Sequence, residues 1–316
     1  MRAKYFLPLV ANTTSYTSLS KVARKAEELG YDGIGFGEHF SQPRKPNGRP
    51  DPFVALSALV SATSKLRLGT LASSTATKHP VTLANSALSL HSISGGRSFL
   101  CLGVGSGKET EYSSHGFPFV SAGERLDAME ESLAIIRGLS MNRGGLFHNG
   151  RLYKLNGSTL NLEGEFPPIW VGERRSRRLL QLAGKYADAI NIHCSGPAQA
   201  QMKLDIVQEA ATAAGRNGES VSAILKHFVV MENDSDLLAS ALDYTGLKRE
   251  GETRTSFVDR MRKEDPEAII GTPYDVREEL GRYIAAGFDQ FSPILLPNGV
   301  TGVEERMGVF ASKCML

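Results

Sequence analysis

The sequence predicts a closed eight-stranded β/α barrel, the (β/α)8 or TIM-barrel architecture, as a single domain over residues 1–316. Two observations carry this. Eight short apolar segments alternate with amphipathic helical segments almost from end to end. No linker, repeat or composition shift divides the chain, and 316 residues suffice for one large core without disulfides or metals. The strand segments are residues 5–10, 33–36, 66–71, 98–104, 169–171, 189–192, 223–230 and 290–295. A doubly wound open sheet is the structural competitor, because it shares the alternation.

The helices follow from their apolar spacing. The first repeats Leu19, Val22, Ala26 and Leu29 and stops at Gly30, a good C-terminal residue. The second opens at Asp51-Pro52 and carries Leu56, Leu59 and Val60. The third opens at Pro80 and runs through Ala84, Ala87 and Leu88 to Gly95-Gly96, and the fourth carries Leu126, Met129, Leu133 and Ile136. Later helices hold Leu179, Leu182 and Tyr186, then Val276, Leu280 and Ile284 before Gly287. Two stretches break the rhythm. The region at about 141–168, Gly-rich with β-like pieces, predicts a hairpin inserted between the fourth and fifth strands. The charged stretch at about 245–267 is either an insertion at the barrel mouth or a solvated loop.

Lys and Arg total 36 against 34 Asp and Glu, a net charge of +2, so the basic face of a nucleic-acid binder is not expected. No apolar run reaches the roughly eighteen residues of a membrane helix. The short apolar start lacks a cleavage signal, and Cys101, Cys194 and Cys314 show no paired spacing. A reduced, cytoplasmic setting is the expectation.

In such a barrel the chemistry lies at the C-terminal ends of the strands. The second strand ends Gly37-Glu38-His39-Phe40, and His39 there is either a structural or a catalytic histidine. The fourth ends Gly103-Val104-Gly105-Ser106-Gly107, with Lys108 where the third glycine of a dinucleotide motif would stand. These glycines instead let a flat ligand approach the backbone. The fifth ends Gly172-Glu173-Arg174-Arg175-Ser176-Arg177-Arg178 at a helix start, where free N–H groups, the positive dipole end and arginines suit a phosphate. A solvated basic turn is the plain alternative. The seven histidines show no metal-ligand spacing, and no Gly-x-Ser-x-Gly elbow is present.

Further motifs stand in a fixed order: Tyr31-Asp32-Gly33, Asp51-Pro52-Phe53, Leu68-Gly69-Thr70, His79-Pro80-Val81, Ser94-Gly95-Gly96-Arg97, Glu124-Arg125-Leu126, Pro168-Ile169-Trp170-Val171-Gly172 and Gly271-Thr272-Pro273. Together with the strand ends they resemble the bacterial-luciferase-like family of flavin and deazaflavin oxidoreductases, over nearly the whole chain. The resemblance implies the barrel with its insertion, a homodimer, and a flavin-like ring at the strand ends. One branch of the family uses reduced FMN and oxygen, and the other uses coenzyme F420 for hydride transfer. Glu38-His39-Phe40 with Gln42-Pro43 looks closer to the F420 branch, although Arg44 and Lys108 depart from its sugar-phosphate dehydrogenase.

The resemblance implies His39 and Lys108 as catalytic candidates. Its cofactor set comprises Glu38, His39, Leu71, Ala72, Ser106, Gly107, Gly172, Glu173, Arg174, Arg175, Ser176 and Arg177, with a non-prolyl cis peptide at Leu71–Ala72. The expected activity is F420-dependent hydride transfer with a small organic substrate. The alternatives are an FMN monooxygenase fed by a partner reductase and a non-enzymatic flavin-binding barrel. No metal is expected.

Overall fold

Strands buried on both faces, each followed by a helix that returns the chain to the same end, can pair only in parallel. A computed structural model describes residues 2–9, 15–40, 49–142, 144–160, 164–173, 175–231, 251–296 and 303–316. In order the elements are β1 (Lys4–Leu9), α1 (Tyr16–Glu28), β2 (Gly33–Phe36), α2 (Pro52–Leu59), β3 (Arg67–Ser74), α3 (Pro80–Ile93), β4 (Ser98–Gly103), α4 (Glu109–Ser113) and α5 (Ala122–Met141). The hairpin β5 (Leu146–Asn149) and β6 (Lys154–Ser158) precedes β7 (Ile169–Glu173), α6 (Arg177–Tyr186), β8 (Ala189–His193), α7 (Pro197–Ala213) and β9 (Ser222–Met231). Then come α8 (Arg254–Glu264), β10 (Ile269–Gly271), α9 (Pro273–Ala285), β11 (Gln290–Leu295) and α10 (Glu304–Lys313).

The ring runs β1-β2-β3-β4-β7-β8-β9-β11 and closes on β1 through parallel pairs such as Tyr5 with Phe291. That closure rules out the open sheet. All eight expected strands are present, and the hairpin stands between the fourth and fifth of them. Glu131 of α5 pins the hairpin turn by accepting the N–H groups of Arg151, Leu152 and Tyr153 at 2.9 to 3.1 Å.

Several details differ from the sequence expectation. β3 continues to Ser74 past a register shift between Thr70 and Ser73; the Leu71–Ala72 peptide within that shift is cis, as the resemblance implies. β10, only three residues, pairs with the end of β9 and was not foreseen. Neither were α4, α7 and α10. Of the charged stretch, residues 245–250 lie outside the described ones, but 254–264 form α8. Phe257 and Met261 of α8 are buried with Ile294 and Leu296, so one apolar side of this polar helix covers the β9–β11 part of the mouth. Val10, expected at the end of the first strand, also lies outside the described residues.

Besides the small cluster under α8, two larger cores form. Between strands and helices pack Leu7, Ile34, Leu68, Leu100, Val171 and Ile190 with α1, α3, α5 and α6. Inside the barrel a second cluster holds Phe6, Leu71, Phe99, Cys101, Trp170 and Ile224. Alternation along each strand sends successive side chains to these two cores. Phe99 and Trp170 stack at 3.9 Å between centroids, with Phe6 edge-on to Trp170 at 5.0 Å. Gly69 makes room for this stack, since a Cβ there would overlap the Phe99 ring. The Arg67 guanidinium lies 5.9 Å from the centroids of both Phe6 and Phe99. The lower barrel is therefore filled by an aromatic floor. Among the described residues no helix is long and apolar enough to cross a membrane.

Candidate active site

His39 follows the end of β2, and its ring Nδ1 lies 3.0 Å from Oε1 of Glu111. The same carboxylate oxygen accepts the Phe40 N–H at 3.1 Å. Glu111 belongs to the short helix α4, and its side chain is 7% exposed against 45% for His39. Burial would raise the Glu111 carboxyl. The bond and charge of His39, the Ser106 hydroxyl and the Phe40 N–H outweigh it and hold the group below the usual carboxylate range. An ionised carboxylate only accepts, so Nδ1 carries the proton toward Glu111, and Nε2 is the ring nitrogen that Glu111 does not engage. The resemblance gave Lys108 as the second catalytic candidate with His39. Lys108 is exposed, preceding α4, and the side chain that reaches the histidine is Glu111, three residues on. The strand-end glycines drew attention to Lys108, while one turn of α4 was needed to see Glu111.

Glu38 turns the other way, as adjacent strand-end residues do. Its oxygens accept the Thr77 hydroxyl at 3.1 Å and the Ser74 N–H at 3.3 Å, and meet Lys78 at 3.2 Å. It thus ties β2 to the segment after β3. Leu71 and Ala72 face the barrel interior with Gly103 and Gly172 beside them. A Cβ on Gly103 would sit 3.4 Å from that of Ala72, and one on Gly172 3.6 Å from the Leu102 carbonyl. Beside Leu71, the Ala72, Gly103 and Gly172 part of this wall, above the aromatic floor, carries no bulky side chain. Ser106 accepts the Lys108 N–H at 3.1 Å, and Gly107 is exposed.

At the end of β7, Glu173 is buried and spent on the protein itself. One oxygen accepts the Ser176 N–H at 2.5 Å, and the other meets Lys203 of α7 at 3.0 Å. Lys203 also donates to the His193 carbonyl at 2.6 Å. Ser176 caps α6 by accepting the Leu179 N–H at 3.3 Å. Arg178 points away to Asp127 and Glu130 at 2.7 and 2.9 Å. Arg175 and Arg177 are exposed beside a groove of about 580 Å³ that Ser176, Gln199 and Lys203 also line. Arg174 lies outside the described residues. Lys203 was not foreseen; it sits in a helix that the sequence reading passed over. No cluster of metal-ligating residues occurs among the described residues.

A closed barrel with a solid floor, a small-residue wall at the strand ends and a carboxylate-backed histidine at the rim defines a TIM-barrel site open at one end. A protein-family profile described as luciferase-like monooxygenase matches residues 1–290, and the chain belongs to that family. A 5,10-methylenetetrahydromethanopterin reductase from Archaeoglobus fulgidus is 24% identical over 226 residues, 72% of this chain and 64% of the relative. The match therefore spans less than two thirds of that relative's length. Among solved structures, an F420-dependent secondary alcohol dehydrogenase in complex with an F420-acetone adduct superposes with a TM-score of 0.79 at 17% identity, covering 99% of this chain and 98% of that one. An EDTA monooxygenase from Chelativorans sp. BNC1 gives 0.74 at 15% identity, covering 99% and 94%. At these identities the superpositions establish the fold.

Proposed function

We propose that the chain is an oxidoreductase that binds coenzyme F420 in the upper barrel and acts on a small organic substrate, with His39 as the group that moves the proton. The observation that carries this reading is the His39–Glu111 pair at the rim, a proton-handling group fixed in one tautomer. The residues present fit the cofactor. The wall of Ala72, Gly103 and Gly172 leaves room for a flat ring, and Arg177 with the start of α6 suits its phosphate. Bound there, the deazaflavin supplies hydride transfer. The chain's own part would be to hold the cofactor, exclude water and let His39 exchange a proton with the substrate oxygen. The A. fulgidus reductase and the alcohol dehydrogenase support the F420 branch.

The superposition on a monooxygenase favours a second reading, in which reduced FMN and oxygen are used with electrons from a separate reductase. Oxygen separates the two. The chain loaded with reduced F420 should stay reduced in air without substrate. Rapid oxygen uptake with reduced FMN, and no redox reaction with F420, would establish the monooxygenase instead.

The phosphate assignment has its own test. Arg177→Ala should weaken cofactor binding about ten- to hundredfold, the loss of one charge-assisted contact of roughly 1.5–3 kcal/mol, with a much smaller change in turnover at saturation. Equal affinities by fluorescence titration would remove Arg177 from the site.

A further inference from the structure

Glu111 owes its place to a helix that cannot hold itself. α4 has only the residues Glu109–Ser113, and one turn of helix is marginal unless tertiary contacts fix it. Tyr112, next to Glu111 and 3% exposed, supplies several of them. About 100° separates neighbouring side chains on a helix, so the two point in different directions. The Tyr112 ring meets Phe119 at 5.4 Å between centroids, and its carbonyl accepts the N–H groups of His115 and Phe117, each at 3.0 Å.

The Tyr112 hydroxyl reaches the ends of β3 and β4, where it bonds the Ser74 hydroxyl and accepts the Ser106 N–H. Gly105 makes the seat. Its φ of +82° suits glycine, and a Cβ there would overlap the Tyr112 hydroxyl and lie 2.7 Å from Ser74 Oγ. Of the glycines that the sequence offers to a flat ligand, this one gives its space to a side chain of the protein itself. Burial pushes the phenol up, so it stays a neutral hydroxyl that can both donate and accept. From this seat the contacts lead to the proton-handling pair. Ser106, held through its N–H by Tyr112, gives its own hydroxyl to Glu111. Ser74, Ser106, Glu111 and Tyr112 line one small pocket together with Phe40, whose N–H also goes to Glu111.

We propose that Tyr112 is a positioning residue for His39: its hydroxyl, seated on Gly105 and bonded to Ser74 and Ser106, fixes α4 so that the Glu111 carboxylate stays on Nδ1 and holds the imidazole in one tautomer. The inference rests on His39 being the proton-moving group, as proposed above. Without the hydroxyl, the Ser106 N–H loses its acceptor and α4 keeps only the ring packing, so the carboxylate is free to leave Nδ1. The imidazole then carries its proton on either nitrogen, and a fraction of the molecules presents the wrong one to a substrate.

The test reads the tautomer directly, in the full chain with neither cofactor nor substrate. NMR of the nitrogen-labelled protein at about pH 8.5, where an ordinary imidazole is neutral, distinguishes the protonated ring nitrogen from the bare one. The chain has seven histidines, and the His39 signals are those missing from His39→Asn. The parent should show one His39 tautomer, with the proton on Nδ1. Tyr112→Phe should lose that single pattern and show both tautomers, as Glu111→Ala should. Phe119→Leu, which trims the ring packing and leaves the hydroxyl, should keep the parent pattern. If Tyr112→Phe does not fold, Ser74→Ala, which removes one partner of the hydroxyl, takes its place with the same expected result. A single tautomer in the variant that lacks the hydroxyl or its partner would overturn the proposal, whatever the change in melting temperature. Equal mixing in Phe119→Leu would overturn it as well, by giving the role to the ring. Both tautomers in the parent would overturn it together with the pair it serves. Failure of the F420 reading would appear separately, as no redox reaction with F420 in a chain whose tautomers follow the expected pattern.

Discussion

Replacing His39 with Asn should lower turnover by roughly a hundredfold or more while the fold and the cofactor affinity stay close to those of the parent. The side chain is nearly half exposed and its one strong contact is Glu111, so its loss opens no cavity in either core. Asn can still donate toward Glu111, but its amide neither takes up nor releases a proton. Glu111→Gln is the companion variant. It removes the charge that stabilises a protonated His39 and should cost about tenfold in turnover, less than removing the imidazole. The acid limb gives the sign. Glu111 is held below the usual carboxylate value, so its support is complete above roughly pH 4.3, its unfolded value, and is lost as pH falls through the depressed folded value. The parent should therefore show no loss attributable to Glu111 between neutrality and weak acid. Steady-state rates and cofactor titrations on the two variants measure this. If His39→Asn instead loses cofactor affinity and keeps its saturated rate, the histidine is a binding contact and the proton moves elsewhere.

Glu173→Ala should be the most destabilising single change near the site, at about 3–5 kcal/mol, because it strands the ammonium of Lys203 inside the protein. The carboxylate side chain is fully buried and that of Lys203 is 10% exposed. The same change frees the Ser176 N–H, which loosens the turn that presents Arg175 and Arg177. Thermal unfolding should fall by on the order of 10 °C. Glu173→Ala combined with Lys203→Met should recover much of that loss, since removing both charges leaves neither unpaired. A double variant as unstable as the single one would mean that the carboxylate matters through the turn and not through the ion pair.

The barrel was legible because its signals are local and repeated. Alternation, Pro at helix starts and Gly at helix ends each report on one element, and eight concordant elements admit few architectures. What the sequence hid depends on distance in the chain. Glu111 meets His39 across 72 positions, and Lys203 meets Glu173 across 30. No spacing rule links such pairs. The charged stretch was ambiguous because two apolar residues, Phe257 and Met261, carry the packing of α8 while its composition is polar. By contrast the strand-end glycines could be read directly, since only the absence of a side chain mattered.

The aromatic floor has a kinetic consequence. Phe6, Phe99 and Trp170 close the lower end over Arg67, so the barrel is a blind well whose entrance and exit are the same opening. A molecule resting at the bottom can leave only after whatever lies above it has gone. Two ligands of such a well are thus forced into a sequence, first in and last out, whatever their relative affinities. Exchange of the deeper one should slow when the upper one is saturating, and the geometry of three rings would set the order of a catalytic cycle.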